Sequence, residues 1–289
     1  GGAGMRGAWT IVGYAFAESL RRRVVVVVFA LTLAFLALYA LGVHFAFAEV
    51  ERSEFVFAEL VEERALVGGT LLGLAMFAVL FLGAVLVVFL TNGVVRGDAE
   101  SGLLQPLVVR PVGRGTLLVA RYLGAAAAGV AYVLVVYMLA VLITGTLGDW
   151  SPDRPLGPGL ALALAVAVVA ALSVLASVQL AATAQGIAVF MLFGAGLVGG
   201  LLGQIGEALG SGTLERIAEV ASVALPFEAL YQYSLHLLTE STSGLTEVVI
   251  RLGPFGGAED RGAGLVAYAL AYVAVVMAVA VALFRRRDL

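Results

Sequence analysis

The side chains best placed to do chemistry form one polar island, Arg96–Arg114 (RGDAESGLLQPLVVRPVGR), between two long apolar runs. Asp98 can cap a helix start, and Glu100 and Ser101 stand in or next to the first turn. Leu103, Leu104, Leu107 and Val108 then recur at helical spacing and give one apolar face. Pro111 ends that helix, and Arg114 opens the next segment. The chemistry of such a segment is recognition rather than catalysis. A short helix outside the membrane, with an acidic start and an apolar face, needs a partner: the membrane surface, its own bundle or another subunit.

Other candidate chemistries fare less well. All 17 basic residues are arginine, so the lysine of a phosphate-binding P-loop is missing. There is no cysteine, hence no thiol nucleophile, disulfide or iron–sulfur ligand. His44 and His236 are the two imidazoles. A metal shared with Glu49 or Glu240 is one reading of them. Lone histidines are more often interfacial polar residues, and no metal site is expected. Glu62-Glu63-Arg64 has some likeness to an intramembrane glutamate protease, but the intramembrane histidines such an enzyme needs are lacking. The apolar runs carry Tyr132, Tyr137, Ser173, Ser177 and Gln179 and almost no ionisable groups. Ion-driven carriers keep carboxylates at mid-membrane, so this scarcity points to energy supplied from elsewhere and to an apolar or amphipathic cargo.

The elements that must position the island are membrane spans. The chain is 62% hydrophobic and 13% charged, against about half and a quarter in soluble domains. The excess falls in runs long enough to cross hydrocarbon. The runs do not alternate as barrel strands would. The fold class is an all-α integral membrane protein with six transmembrane helices, at about 24–45, 67–90, 116–144, 160–182, 187–205 and 263–284. Span 3 is longer than needed, so it tilts or projects. A tight turn, Thr183-Ala184-Gln185-Gly186, is expected between spans 4 and 5. Residues 6–22, with Glu18 and Arg22, read as an N-terminal amphipathic surface helix. Residues 46–66 and 206–262 are acidic and carry apolar helical patches, which predicts external helices after spans 1 and 5. Residues 1–4, ahead of Met5, read as a remnant outside the single membrane domain expected over 5–289.

Six spans put both termini on one side. Arg21–Arg23, Arg96, Arg110, Arg114, Arg121 and Arg285–Arg287 share that side, and the acidic segments share the other. The positive-inside rule makes the arginine side cytoplasmic, and the island with it. Span 5 adds a second feature. Gly196, Gly199, Gly200 and Gly203 have the spacing that lets helix backbones approach closely. They read either as a dimer or pathway-lining face, or as tight packing within one bundle.

The pattern Asp98, Glu100, Gly102, Leu103, Leu104, followed by Arg110, Pro111, Val112 and Arg114, resembles the first cytoplasmic loop of ABC-2 type permeases, the membrane subunits of ABC transporters. The likeness extends to the surface helix before span 1, the six spans and the helices before span 6. The acidic segment after span 1 and Leu225-Pro226-Phe227-Glu228 look most like permeases grouped with multicopper-enzyme maturation.

The resemblance implies that the island is a coupling helix, with Leu107 on its apolar face, seated in a separate ATP-binding subunit. That subunit would carry ATP and magnesium, leaving this chain without cofactor or hydrolytic activity. The implied assembly has two ATP-binding subunits and a second permease, identical or homologous. It lies in lipid of a bacterial or archaeal plasma (inner) membrane and exports or handles an apolar or envelope substrate. No nucleic-acid partner is expected, and the acidic external loops are a place for an external one. The alternative from another class is a membrane scaffold or sensor that recruits a cytoplasmic partner without transport.

Overall fold

The computed structural model describes residues 23–52, 63–92, 114–239 and 262–286. Eight helices lie within them: α1 (Arg23–Arg52), α2 (Glu63–Thr91), α3 (Arg114–Gly148), α4 (Leu156–Gln179), α5 (Ala182–Leu209), α6 (Gly212–Ala224), α7 (Pro226–Thr239) and α8 (Gly262–Arg285). Six of them, α1 to α5 and α8, are long and apolar enough to cross a membrane. The protein is an all-α integral membrane protein with six spans. The spans run alternately between two ends of the bundle, a basic end with Arg285 and Arg286 and an acidic end with Glu51 and Asp149.

The helices extend past the apolar runs that mark them. α1 continues to Arg52, because Ala46–Val50 contains nothing that breaks a helix. α3 has 35 residues, about 50 Å at 1.5 Å per residue, well beyond the hydrocarbon thickness. The turn between spans 4 and 5 lies at Leu180–Ala181, not at Thr183–Gly186. Leu180 (ψ 152°) and Ala181 (ψ 157°) are extended, and α5 has already begun at Ala182. Gln185 therefore stands in the first turn of α5 rather than in a loop, and its amide N–H reaches Ala181 O at 2.8 Å.

α4 is the centre of the bundle. Of its most apolar stretch 72% is buried, against 22% for α1, α5 and α8. Its sequence is largely alanine and valine, and small residues let helices come close where lipid offers no hydrophobic drive between them. Val166 of α4 packs where Gly83 of α2 and Gly129 of α3 leave room. The core also takes Leu72, Met76 and Leu80 from α2, Tyr137 from α3 and Phe227 and Leu230 from α7.

At the acidic end, Arg64 ties three elements. Its guanidinium stands 3.3 Å from Glu51 of α1, 3.7 Å from Asp149 and 3.5 Å from the Gly148 carbonyl at the end of α3.

Candidate functional site

The helices expected after span 5 are present as α6 and α7, and they fold back among the spans as a hairpin. Gly210, at φ 62°, turns the chain at the end of α5, where a left-handed residue without a Cβ costs least. α6 then runs back down α5. Along this face a Cβ added at Gly203 would meet Ala218 Cβ at 3.0 Å, at Gly199 Ala221 Cβ at 2.5 Å, and at Gly196 Phe227 Cζ at 2.5 Å. At Gly200 it would run into the Glu228 carboxylate. The close spacing read from the sequence is thus occupied within the chain, by the hairpin. Gly194, on another side of α5, has nothing within 4 Å of such a Cβ.

The hairpin turns at Leu225 (φ −132°, ψ 68°), and Pro226 opens α7. Proline suits the first helical position, where no N–H partner is lost. Gly196, beside the turn, is near the midpoint of α5, so the tip reaches about 20 Å down the span. Irregular backbone at that depth needs polar partners from protein. α8 supplies them: the Tyr268 hydroxyl donates to Val223 O at 2.7 Å, and the Tyr272 hydroxyl to Ala224 O at 2.6 Å. α7 climbs back to the acidic end beside α2 and α4, with Leu235 near Gly73 and Leu237 near Gly157.

Between α5, α6 and the start of α7 lies a cavity of about 660 Å³. Gly200, Gly203, Gln204, Ser222 and Gln232 line it together with four glutamates, Glu207, Glu215, Glu219 and Glu228. Among the described residues, no basic side chain lines it. Glu228 is only 5% exposed although it reaches half the height of the span. It sits in the first turn of α7, and it accepts a hydrogen bond from Gln232 Nε2 one turn on. The neighbouring Tyr231 is buried, and its hydroxyl donates to Gly73 O at 3.5 Å.

The residues singled out in the sequence meet different outcomes. Gly200 and Gly203 line the cavity, while Gly196 and Gly199 seat the hairpin tip. Arg114 opens α3. Asp98, Glu100, Gly102, Leu103, Leu104, Leu107, Arg110 and Pro111 of the island, and Glu18 and Arg22 of the N-terminal helix, lie outside the described residues. His44 is in α1 and His236 in the last turn of α7, and among the described residues no three His, Asp or Glu side chains gather as a metal site.

Sequence reasoning missed Glu228. The scarcity of carboxylates in the six spans does not hold for the bundle as a whole, because the hairpin carries one to mid-depth. The signal was the Leu225-Pro226-Phe227-Glu228 break between two apolar helical patches. Gln185 was also missed: it is 1% exposed and hydrogen-bonded across three spans.

No individually curated protein matches the chain. The family profile described as ABC-2 family transporter protein matches residues 9–289, nearly the whole length. With its six spans and the hairpin before the last of them, this chain belongs to the ABC-2 family of transporter proteins.

Proposed function

We propose that the chain is one permease half of an ATP-driven exporter, worked by a separate ATP-binding subunit. Membership of the ABC-2 family makes it a membrane permease of an ABC transporter and implies an ATP-binding partner. The observation that supports the finer reading is the absence of lysine from these 289 residues, which therefore hold no P-loop. Force would then enter this membrane domain from an ATP-binding subunit. The segment that would receive it is the island from Asp98 to Pro111, whose apolar face of Leu103, Leu104 and Leu107 would seat in the ATP-binding subunit, with Glu100 at its acidic start. Two such subunits, holding ATP and magnesium, and a second permease complete the assembly. The arginine distribution supports a topology with both termini and the island in the cytoplasm and the acidic end of the bundle outside, in the plasma membrane of a bacterial or archaeal cell on this reading.

The cavity behind Gly200 and Gly203 supports transport over the scaffold reading, since a scaffold has no need of a hollow between a span and a re-entrant hairpin. On this reading the cavity belongs to the external part of the path, and α5 lines it. Of the two cargo classes read from the sequence, an amphipathic one fits a cavity carrying four glutamates better than a wholly apolar one. The test is copurification with an ATPase, followed by Glu100→Arg and Leu104→Arg. Loss of permease-stimulated hydrolysis with the permease still folded is the expected result. Full coupling in both variants would sink the coupling-helix assignment.

A further inference from the structure

At the basic end of the bundle, three buried polar side chains from three spans form one chain of hydrogen bonds. Thr91 closes α2, Ser173 lies in α4 and Gln185 in the first turn of α5, and each is 0–1% exposed. Gln185 Nε2 donates to Ser173 Oγ at 3.1 Å and to the Ser173 carbonyl at 3.2 Å, with Thr91 Oγ1 at 3.4 Å. Ser173 Oγ and Thr91 Oγ1 are 2.7 Å apart. Thr91 in turn donates to the Val87 carbonyl at 2.8 Å. One arrangement satisfies every member: the amide donates to Ser173, Ser173 to Thr91, and Thr91 to the backbone of α2.

Apolar side chains of similar shape would hold these helices together without the cost of burying polar groups. What a satisfied network adds is a fixed register, because each member has one geometry that serves the others. The register here is between the last turn of α2 and the first turn of α5. The polar segment 93–113 leaves directly from the end of α2. α5 carries on its far half the glycines against which the hairpin and its cavity are packed.

We propose that Gln185 is a positioning residue for energy coupling: with Thr91 and Ser173 it ties the root of segment 93–113 to spans 4 and 5. A displacement of the segment is then delivered to α5, and along α5 to the hairpin. This rests on the reading of the segment as the ATPase contact, but the tie itself does not.

The test has two arms. The chain has no cysteine, so label pairs need no background removal. Phe89 and Ile187 are exposed near the ends of α2 and α5, at 37% and 58%. Spin labels on Phe89→Cys and Ile187→Cys, in the full chain in lipid discs without partner, read the tie. One narrow separation is expected, broadened about twofold by Gln185→Leu; an unchanged width overturns the tie. The second arm pairs Ile187→Cys with Leu160→Cys in the complex with the copurified ATPase. ATP is expected to shift this distance, and Gln185→Leu to abolish the shift while ATP is still hydrolysed. A purely structural role would not separate the two readouts, and a full shift in the variant overturns the transmission. Thr91→Val, which keeps the shape and loses the hydroxyl, serves in both arms if Gln185→Leu does not fold. If no ATPase copurifies, the transport reading and the transmission fail together, while the first arm still decides the tie.

Discussion

The ring of Phe227 lies flat against that of Phe193, with centroids 5.1 Å apart and planes inclined by 6°. One ring belongs to the hairpin tip and the other to the middle of α5. Phe81 of α2 approaches the same Phe193 at 6.1 Å. Aromatic contacts of this kind are worth about 0.5–1.5 kcal/mol beyond the area they bury. The stack holds the α6–α7 turn at half height, and it is possible because Gly196 presents no side chain to Phe227.

Gly196→Val tests that dependence. The added methyls would occupy the space of the Phe227 ring, and overpacking of this kind costs about 1–3 kcal/mol. A clear fall in the thermal midpoint of the detergent-solubilised protein is expected. Gly194→Ala is the control, since nothing lies within 4 Å of a Cβ there. It should leave the midpoint unchanged or raise it slightly, because alanine is the better helix former. Equal losses in the two variants would mean that α5 does not seat the hairpin by this face.

The tyrosines of α8 make a second prediction. Tyr268→Phe and Tyr272→Phe each remove one hydroxyl and leave the Val223 or Ala224 carbonyl without that donor. Each should cost about 1 kcal/mol, the usual net worth of a hydrogen bond. Both hydroxyls serve the same exposed turn of backbone, so the double variant should lose more than either single one. The readout is protease cleavage in the 223–227 segment at rising temperature. Unchanged cleavage in the double variant would show that the turn does not depend on these two hydroxyls.

Much of this fold is legible in the sequence because crossing a bilayer imposes length and composition on each span. Six apolar runs gave six helices, and the acidic stretch after Leu209 gave α6 and α7. The depth of the hairpin is not encoded that way. The tip is placed by pairwise fits, Gly196 under Phe227 and Tyr268 under Val223, between residues distant in sequence. Glu228 looks like a loop residue for the same reason: its hydropathy says surface, while its partners put it in the interior. Gln185 illustrates the converse error. Thr-Ala-Gln-Gly has turn-like composition, but no residue in it forbids a helix, and the chain had already turned at Leu180.

The ion contacts at the acidic end should matter little. Arg64 is 45% exposed, and its partners Glu51 and Asp149 are 67% and 96% exposed. Exposed pairs contribute about 0–1 kcal/mol and are screened by salt. Arg64→Ala is expected to shift the thermal midpoint only slightly at low salt and not measurably at high salt. A large shift that persists at high salt would mean that the guanidinium does more than pair, most directly by holding the Gly148 carbonyl at the end of α3.

Glu228 is the most demanding position to replace. Its carboxylate is buried against α5, lines the cavity and accepts from Gln232 one turn along α7. Glu228→Leu would leave the Gln232 amide, itself 5% exposed, without this acceptor. An unmade buried hydrogen bond costs about 1–3 kcal/mol, and more where one partner is charged. Glu228→Gln keeps size and an acceptor oxygen and removes only the charge. If the side chain serves packing and hydrogen bonding, Glu228→Gln should stay close to the parent in thermal midpoint, and Glu228→Leu should fall well below it. If the charge itself is needed at the start of α7, both variants should fall together. Gln232→Leu separates these cases further, because it removes the donor and leaves the carboxylate in place. A carboxylate that depends on that donor would make Gln232→Leu as damaging as Glu228→Leu, and combining the two substitutions should then cost less than their sum.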